Sequence, residues 1–511
     1  MRIATRMRSA VPAMAIAAAL LALALGFCAT AAAGQDAKAG DDQAVTASAL
    51  SAQTAAPSAQ ATAAPARGEV TRYKKGYRYE SNGWIFLHIE GKPFARGVQH
   101  GRLMASELAQ TRRTLRYVTP DDTGKKWSYF VKVAPRLWRD KISNEYLNEI
   151  KGIAAGATRA GVKMTWQEVL AINGQMELTE SWWPGVVDGD YRSVVDNTHC
   201  SAFIATGSYT KDGEVVMAHN DWDHFATGQS ANVIIDVKPA RGHRIVMQTF
   251  PGCIASMTDF FTTSAGIMGT ETTIGDFNGY APKKLPEFYR MRKATQYADT
   301  LGEWVRIMQK GNNGGYANSW LLADADTREI MRFEQGLKYQ SVERTKDGYF
   351  VGFNSATDPR IRNLECGGDR DYYDIRTPAG ARRVRLTQLM KQHRGQIDTE
   401  VAKAVLADHY DVYLKLPDNP CSRTVDGHYE LDPFPFWQAR QPYSPQGAVD
   451  GKVMDSDMAR ELSFVARWGN SSGMPFDASA FLAEHPQWDH FAGYMRDRPT
   501  QPWTLFKAGL R

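Results

Sequence analysis

The amino-acid sequence predicts an α+β fold in which helices and antiparallel sheets pack in layers. Three observations carry this. Helical spacing of apolar residues fills much of 93–180, strand-like segments begin abruptly at Cys200, and beyond that point strands and helices come in runs. Regular strand-helix alternation would point instead to a parallel sheet. No internal repeat is visible.

At the N-terminus, Arg2, Arg6 and Arg8 precede an apolar run that ends in small residues around Ala31 and Ala33, the three-part layout of a secretory signal. Residues 1–33 are therefore expected to be a cleaved signal peptide. The protein would then be exported to the periplasm or the exterior, with no stable membrane span left. Bulky Phe27 before Cys28 argues against lipidation. Residues 34–68, rich in Ala, Gln, Ser and Thr and lacking aromatics, read as a disordered linker, because they cannot bury enough apolar surface to offset ordering. A net charge of +5 is small for 511 residues, so nothing favours a nucleic-acid partner.

The folded part opens with a short strand around Trp84 to Ile89, a turn at Gly91 to Pro93, and helical spacing through Val98, Leu103 and Leu108. "YLNEIKGIAAGATRAG" and "TWQEVLAINGQMEL" continue as helix. From Cys200, "SAFIATG" and "GEVVMAHN" form a hairpin around Asp212-Gly213, followed by strands in "ANVIIDV", "HRIVMQTF" and "SAGIMGTETTI". Residues 285–310 return to helix, "NSWLLADADTREIMRFEQG" is a hairpin turning at Asp324 to Thr327, and 379–395 and 398–408 are helical. The last hundred residues, rich in Pro, Gly and Asp, read as long coverings.

Without the leader four cysteines remain: Cys200, Cys253, Cys366 and Cys421. A thiol reacts as thiolate and needs a base. His199 is a poor base for Cys200 at a strand start, where successive side chains face opposite ways. If the bond between His199 and Cys200 were cut, the new α-amine, with an ordinary pKa of about 7.7–8.0, would lie on the same residue as the thiol. The processing site is then His199 and Cys200. Polar groups that could complete such a site occur at strand ends: His219, Asn220, Asp221 and Asp223; Thr270, Glu271 and Thr272; and Asn318.

The ordered series "GWIFLHIEGKPFARGVQHG", "NTHCSAF" with "AHNDW" shortly after, "GIMGTETTI", "YANSWLLAD" and "GAVDGKVMDSDMARELSFVARWGNSSGMPF" resembles the N-terminal-nucleophile hydrolases. Within them it is similar to the phospholipase B-like proteins and to the autoproteolytic acyltransferases that resemble penicillin acyltransferase. The resemblance implies a four-layer αββα sandwich that cuts itself before its nucleophile. It makes Cys200 the nucleophile, Asn318 the oxyanion donor, Asp221 or Asp223 the group that orients the amine, and Glu271 and His219 supporting residues. It also implies a mainly helical light-chain segment, 69–199, and a heavy-chain segment, 200–511, that stay associated as one catalytic domain. The substrate would be a small acyl amide or a lipid. Cys253, Cys366 and Cys421 would then give one disulfide and one buried thiol.

No cofactor or metal is expected. Two other functions remain open at this level: a metal-dependent hydrolase built on the His219–His224 cluster, which His485, Asp489 and His490 do not clearly complete, and a non-catalytic envelope protein that binds a ligand.

Overall fold

The computed structural model describes residues 68–188, 200–368, 370–433 and 442–510. The expected leader, the expected linker up to Arg67, and His199 lie outside the described residues. In chain order the strands are β1 (Thr71–Tyr73), β2 (Gly76–Ser81), β3 (Trp84–Gly91), β4 (Cys200–Thr206), β5 (Val216–His224), β6 (Val233–Pro239), β7 (Ile245–Thr249) and β8 (Phe260–Thr263). They continue as β9 (Ile267–Thr273), β10 (Asn318–Asp324), β11 (Ile330–Gln335), β12 (Gln340–Thr345), β13 (Gly348–Gly352), β14 (Gln446–Asp455), β15 (Ser463–Trp468) and β16 (Thr504–Lys507).

Two sheets result, ordered β1-β2-β3-β6-β7-β8-β9-β10-β11-β12 and β13-β4-β5-β14-β15-β16. Pairing is antiparallel except between β3 and β6, where Ile85 to Gly91 run parallel to Val233 to Pro239. Alternation along each strand builds the layers. Ala202, Ile204 and Met217 of the second sheet meet Ile234, Phe260, Met268 and Leu321 of the first, forming an apolar core between the sheets. On the far side of the second sheet, Phe203, Ala205, Val216 and Ala218 pack against Leu386, Leu389 and Val405 of the helices Pro378–Gln392 and Thr399–Leu406. Leu87, Ile235 and Met247 of the first sheet bury against helices between Pro93 and Asn173 and against Glu287–Tyr297 and Leu301–Gln309. The architecture is thus the four-layer αββα sandwich expected.

Helices Pro93–Leu103 and Asn144–Arg159 cross at very short range, and glycine permits it: a Cβ on Gly101 would lie 1.9 Å from the Ile153 carbonyl oxygen, and one on Gly97 2.1 Å from that of Glu149.

Ahead of Cys200 the strands β1–β3, which form one edge of the larger sheet, are followed by helices from Pro93 to Asp188. Two expectations need correction. The last hundred residues supply β14, β15 and β16. β14 is a central strand buried on both faces, and such strands show no alternation in sequence. Cys253, Cys366 and Cys421 form no disulfide; all four described cysteines are free. Cys253 sits in the outer helical layer, Cys366 against the cluster around Ile361, and Cys421 beside Asp411, so three separate neighbourhoods hold them.

Candidate active site

Cys200 is the first residue of β4 and is 3% exposed. The antiparallel register sets it directly opposite Asp221 on β5, with Ala202 opposite His219. Its side chain shares the parity of Ala202 and Ile204 and so belongs to the face between the sheets. Its backbone nitrogen donates to Asn354 Oδ1 at 2.9 Å. Asn354 stands just beyond β13, the neighbour of β4, at a φ of 63°, a left-handed conformation that asparagine tolerates better than most residues. Its Nδ2 donates to the Thr273 carbonyl at 3.0 Å, which ties the end of β13 to β9 in the other sheet.

Arg382 reaches the same place from the helix Pro378–Gln392. It is fully buried, donates through Nη1 to the Cys200 carbonyl, through Nη2 to Asn354 Oδ1 at 2.9 Å and through Nε to the Pro378 carbonyl, and stacks 4.2 Å from the Trp222 ring centre. These partners are neutral oxygens and a ring. Burial pushes the guanidinium pKa down to about 10.

Several buried acids surround Cys200. Asp221 pairs across the ladder with Asp450, which forms an ion pair with Lys452 at 2.6 Å. Asp259 and Glu271 share the hydroxyl of Tyr316, at 2.9 and 3.1 Å. Burial drives the carboxyls of Asp221 and Glu271 well above the usual carboxylate range, with Asp450 adding to the first and Asp259 to the second. Asp259 is pushed up to about 6, again by burial. Asp221 Oδ2 is buried without a hydrogen-bond partner. Burial, then Asp221, then Glu271 push the Cys200 thiol well above its ordinary value, so in the uncut chain it is held as the thiol.

Of the residues singled out in sequence, Cys200 and Asp221 come together directly. His219 lies two cross-strand pairs further along, fully buried beside Lys452 and near the Glu271 backbone; burial and that ammonium keep it neutral. Glu271 on β9 lies opposite Trp320, whose ring packs in the outer helical layer, and Asn318 shares that side of β10; with the Asn318 amide oriented to satisfy its neighbours, its nitrogen donates to Glu271 Oε2 at 2.6 Å and to the Ala317 carbonyl at 3.0 Å. The His219–His224 stretch does not converge as a ligand set. Asp223 Oδ1 accepts from Thr227 Oγ1, and His224 Nδ1 accepts from the Ala226 N–H as a helix cap.

Sequence reasoning missed Asn354 and Arg382. Arg382 left a trace, since it shares helical spacing with buried Leu386 and Leu389, an apolar stripe where a guanidinium is out of place. Asn354 left almost none.

A cavity of about 470 Å³ opens beside this cluster, lined by Asp221, Trp222 and Tyr316 together with apolar residues that include Leu115, Val118 and Trp183. That volume is in the range of sites that enclose small organic ligands.

The family model for phospholipase B matches residues 132–341. Phospholipase B of Crotalus adamanteus is 24% identical over 333 residues, 58% of this chain and 57% of that protein. Human phospholipase B-like 1 is 24% identical over 340 residues, 59% and 55% of the two chains, and an uncharacterized protein of Archaeoglobus fulgidus is 27% identical over 260 residues, 48% and 42%. The chain thus spans about half the length of these relatives. Among solved structures, a variant of conjugated bile acid hydrolase from Clostridium perfringens matches with a TM-score of 0.33 and 12% identity, covering 53% of this chain and 89% of that one.

Proposed function

We propose, from the similarity to the phospholipase B-like proteins and from the surroundings of Cys200, that this chain is an exported, self-processing cysteine hydrolase or acyltransferase acting on acyl amides or esters. The carrying observation is that Cys200 begins its strand with its backbone nitrogen on Asn354 Oδ1 and a half-unpaired buried carboxylate, Asp221, directly opposite.

In processing, Cys200 Sγ attacks the carbonyl carbon of residue 199, the bond to the Cys200 nitrogen breaks, and that nitrogen takes up a proton. Water then hydrolyses the thioester and leaves a free α-amine. In turnover this amine removes the thiol proton, the thiolate attacks the substrate carbonyl, and the amine returns the proton to the leaving group. Water, or an acceptor amine, resolves the second thioester. Asn354 Oδ1 and Asp221 hold the amine in this scheme. Arg382, a buried cation whose partners are neutral oxygens, favours the negative charge that develops beside Cys200. Asn318 would serve the oxyanion only by turning from Glu271; its present contacts support a role in fixing the Asp259–Glu271 pair. His219, held neutral, carries no charge into the reaction.

The apolar walls of the cavity suit an aliphatic or aromatic acyl group, with the scissile bond beside Asp221. The seven parallel pairs between β3 and β6 join the two fragments in one sheet, which supports their staying associated after the cut. No helix among the described residues is long and apolar enough to cross a membrane.

Intact mass and N-terminal sequencing of the wild type beside Cys200→Ala test this reading. It expects a co-purifying fragment beginning at Cys200 in the wild type and an uncut variant. An uncut wild type, or a Cys200→Ala chain cut at the same bond, sinks it. Acyl amides and acyl lipids are the first substrates to screen.

A further inference from the structure

Behind the second sheet, residues 408–432 fold over the outer side of β5 and bring three side chains to one point. His409 Nε2 lies 3.2 Å from His428 Nε2, and Asp426 Oδ2 lies 3.4 Å from the first and 3.5 Å from the second. As hydrogen bonds the two contacts to Asp426 are long, and the His–His contact lies at the upper limit. As the edges of a tetrahedron they fit: ligand atoms at about 2.0–2.1 Å from a zinc ion stand about 3.3–3.4 Å apart.

The rest of each side chain is committed in the way metal ligands usually are. His428 Nδ1 meets Glu430 Oε1 at 2.8 Å and His409 Nδ1 meets Asp418 Oδ1 at 3.2 Å, so each ring has a carboxylate on the nitrogen that faces away from the convergence point. Asp426 is fixed by the N–H groups of Ser471 and Ser472, at 3.1 and 2.9 Å. Asp426 and His428 are buried, whereas the His409 side chain retains 11% exposure, which leaves a side open to solvent for a fourth ligand.

We infer that His409, Asp426 and His428 form a binding site for a divalent transition metal of the zinc class, with water as the remaining ligand. Its place in the fold gives it a structural consequence. Gly427, between two of the ligands, lies so close to Trp222 that a Cβ there would stand 2.2 Å from the indole, and Trp222 is the ring on which Arg382 stacks. The ion would clamp the loop that backs the arginine beneath Cys200. This inference stands on its own geometry and does not depend on the proposed acyl chemistry.

The test uses the full-length protein, stripped by chelator and dialysed against Zn(II), with metal measured by mass spectrometry and Co(II) substituted for its visible spectrum. One zinc per chain, a tetrahedral Co(II) spectrum and a higher melting temperature on loading are expected, all lost in His409→Ala. Asp418→Ala, at an exposed position, guards against misfolding of that variant and should weaken affinity about 10–100-fold. Substoichiometric zinc in the wild type, or equal uptake by His409→Ala, would show a hydrogen-bonded His-Asp-His cluster only and overturn the inference.

Discussion

Replacing Arg382 by methionine separates a structural from a chemical role beside Cys200, the proposed nucleophile. The change removes donors from the Cys200 carbonyl, Asn354 Oδ1 and the Pro378 carbonyl, and removes the cation from the Trp222 face. A buried acceptor left bare costs about 1–3 kcal/mol, and a desolvated cation–π contact is worth about 2. Against this, a guanidinium buried among neutral oxygens carries a desolvation penalty of several kcal/mol that methionine does not. Folding stability is therefore expected to fall by only about 1–3 kcal/mol, the difference of these opposed contributions. The reaction has no such offset: a preorganised donor lost where charge develops lowers the rate about 10²–10³-fold, or about 2.7–4 kcal/mol. Appearance of the fragment beginning at Cys200, followed by intact mass, measures the rate, and a denaturant midpoint measures stability. Arg382→Lys keeps a charge but not the planar fork and should fall between. A folded Arg382→Met protein that matures at the wild-type rate would refute the role given to this arginine.

Asp221→Asn should lower turnover at least 100-fold, on the order of a lost proton-transfer partner, while leaving melting temperature at neutral pH unchanged or higher; activity within a few-fold of wild type would exclude Asp221 from holding the amine. The pH dependence of the uncut Cys200→Ala chain has a fixed sign. Asp221, Asp259, Glu271 and Asp450 have folded pKa values above their unfolded ones, so the folded state holds protons that the unfolded state releases above about pH 4. Stability from these groups is full below that pH and is lost as pH rises through about 6, where Asp259 titrates, and beyond for its neighbours. Melting temperatures rising across that window would contradict the cluster. Gly101→Ala should destabilise by about 1–3 kcal/mol or more in chemical denaturation, since the methyl meets backbone in the facing helix; a neutral result would mean that the two helices can separate freely.

The parts of the fold legible in sequence were those fixed by local pattern. The β4–β5 hairpin announces itself by composition and the Asp212-Gly213 turn, and the helices around 287–309 and 378–406 by spacing. Once Cys200 and Asp221 are placed on adjacent strands, their pairing follows from the hairpin register. What escaped notice is made by contacts between distant segments. β14 pairs with β5 across more than two hundred residues, and its central burial erases the alternation that would mark it as a strand. Asn354 and Arg382 come to Cys200 from 154 and 182 residues away, by a left-handed turn after β13 and by a helix on the opposite side of the sheet. His409, Asp426 and His428 converge by loop folding alone, without the short helical or CxxC-type spacing that makes a metal site readable in a sequence.

The electrostatics of the site also bear on why a self-cut would be useful here. In the uncut chain, Asp221, Asp259, Glu271 and Asp450 lie buried near one another, with Lys452 paired to Asp450, and burial pushes the carboxyl pKa values of Asp221 and Glu271 well above the usual range. The Cys200 thiol beside them is held protonated too, by the same burial and by the same acids. This is a poor setting for a thiolate as long as Cys200 carries a neutral peptide nitrogen. Cleavage before Cys200 changes one atom's chemistry at the centre of the cluster: the peptide nitrogen becomes an amine that can hold a positive charge within reach of Asn354 and opposite Asp221. An ammonium there lowers the carboxyl pKa of Asp221 and, through proximity, that of the thiol. On the proposed reading, the acids that disfavour a free thiolate in the precursor are the groups that face the new amine after the cut, so cleavage turns a setting hostile to the thiolate into one where an amine on the same residue can take its proton.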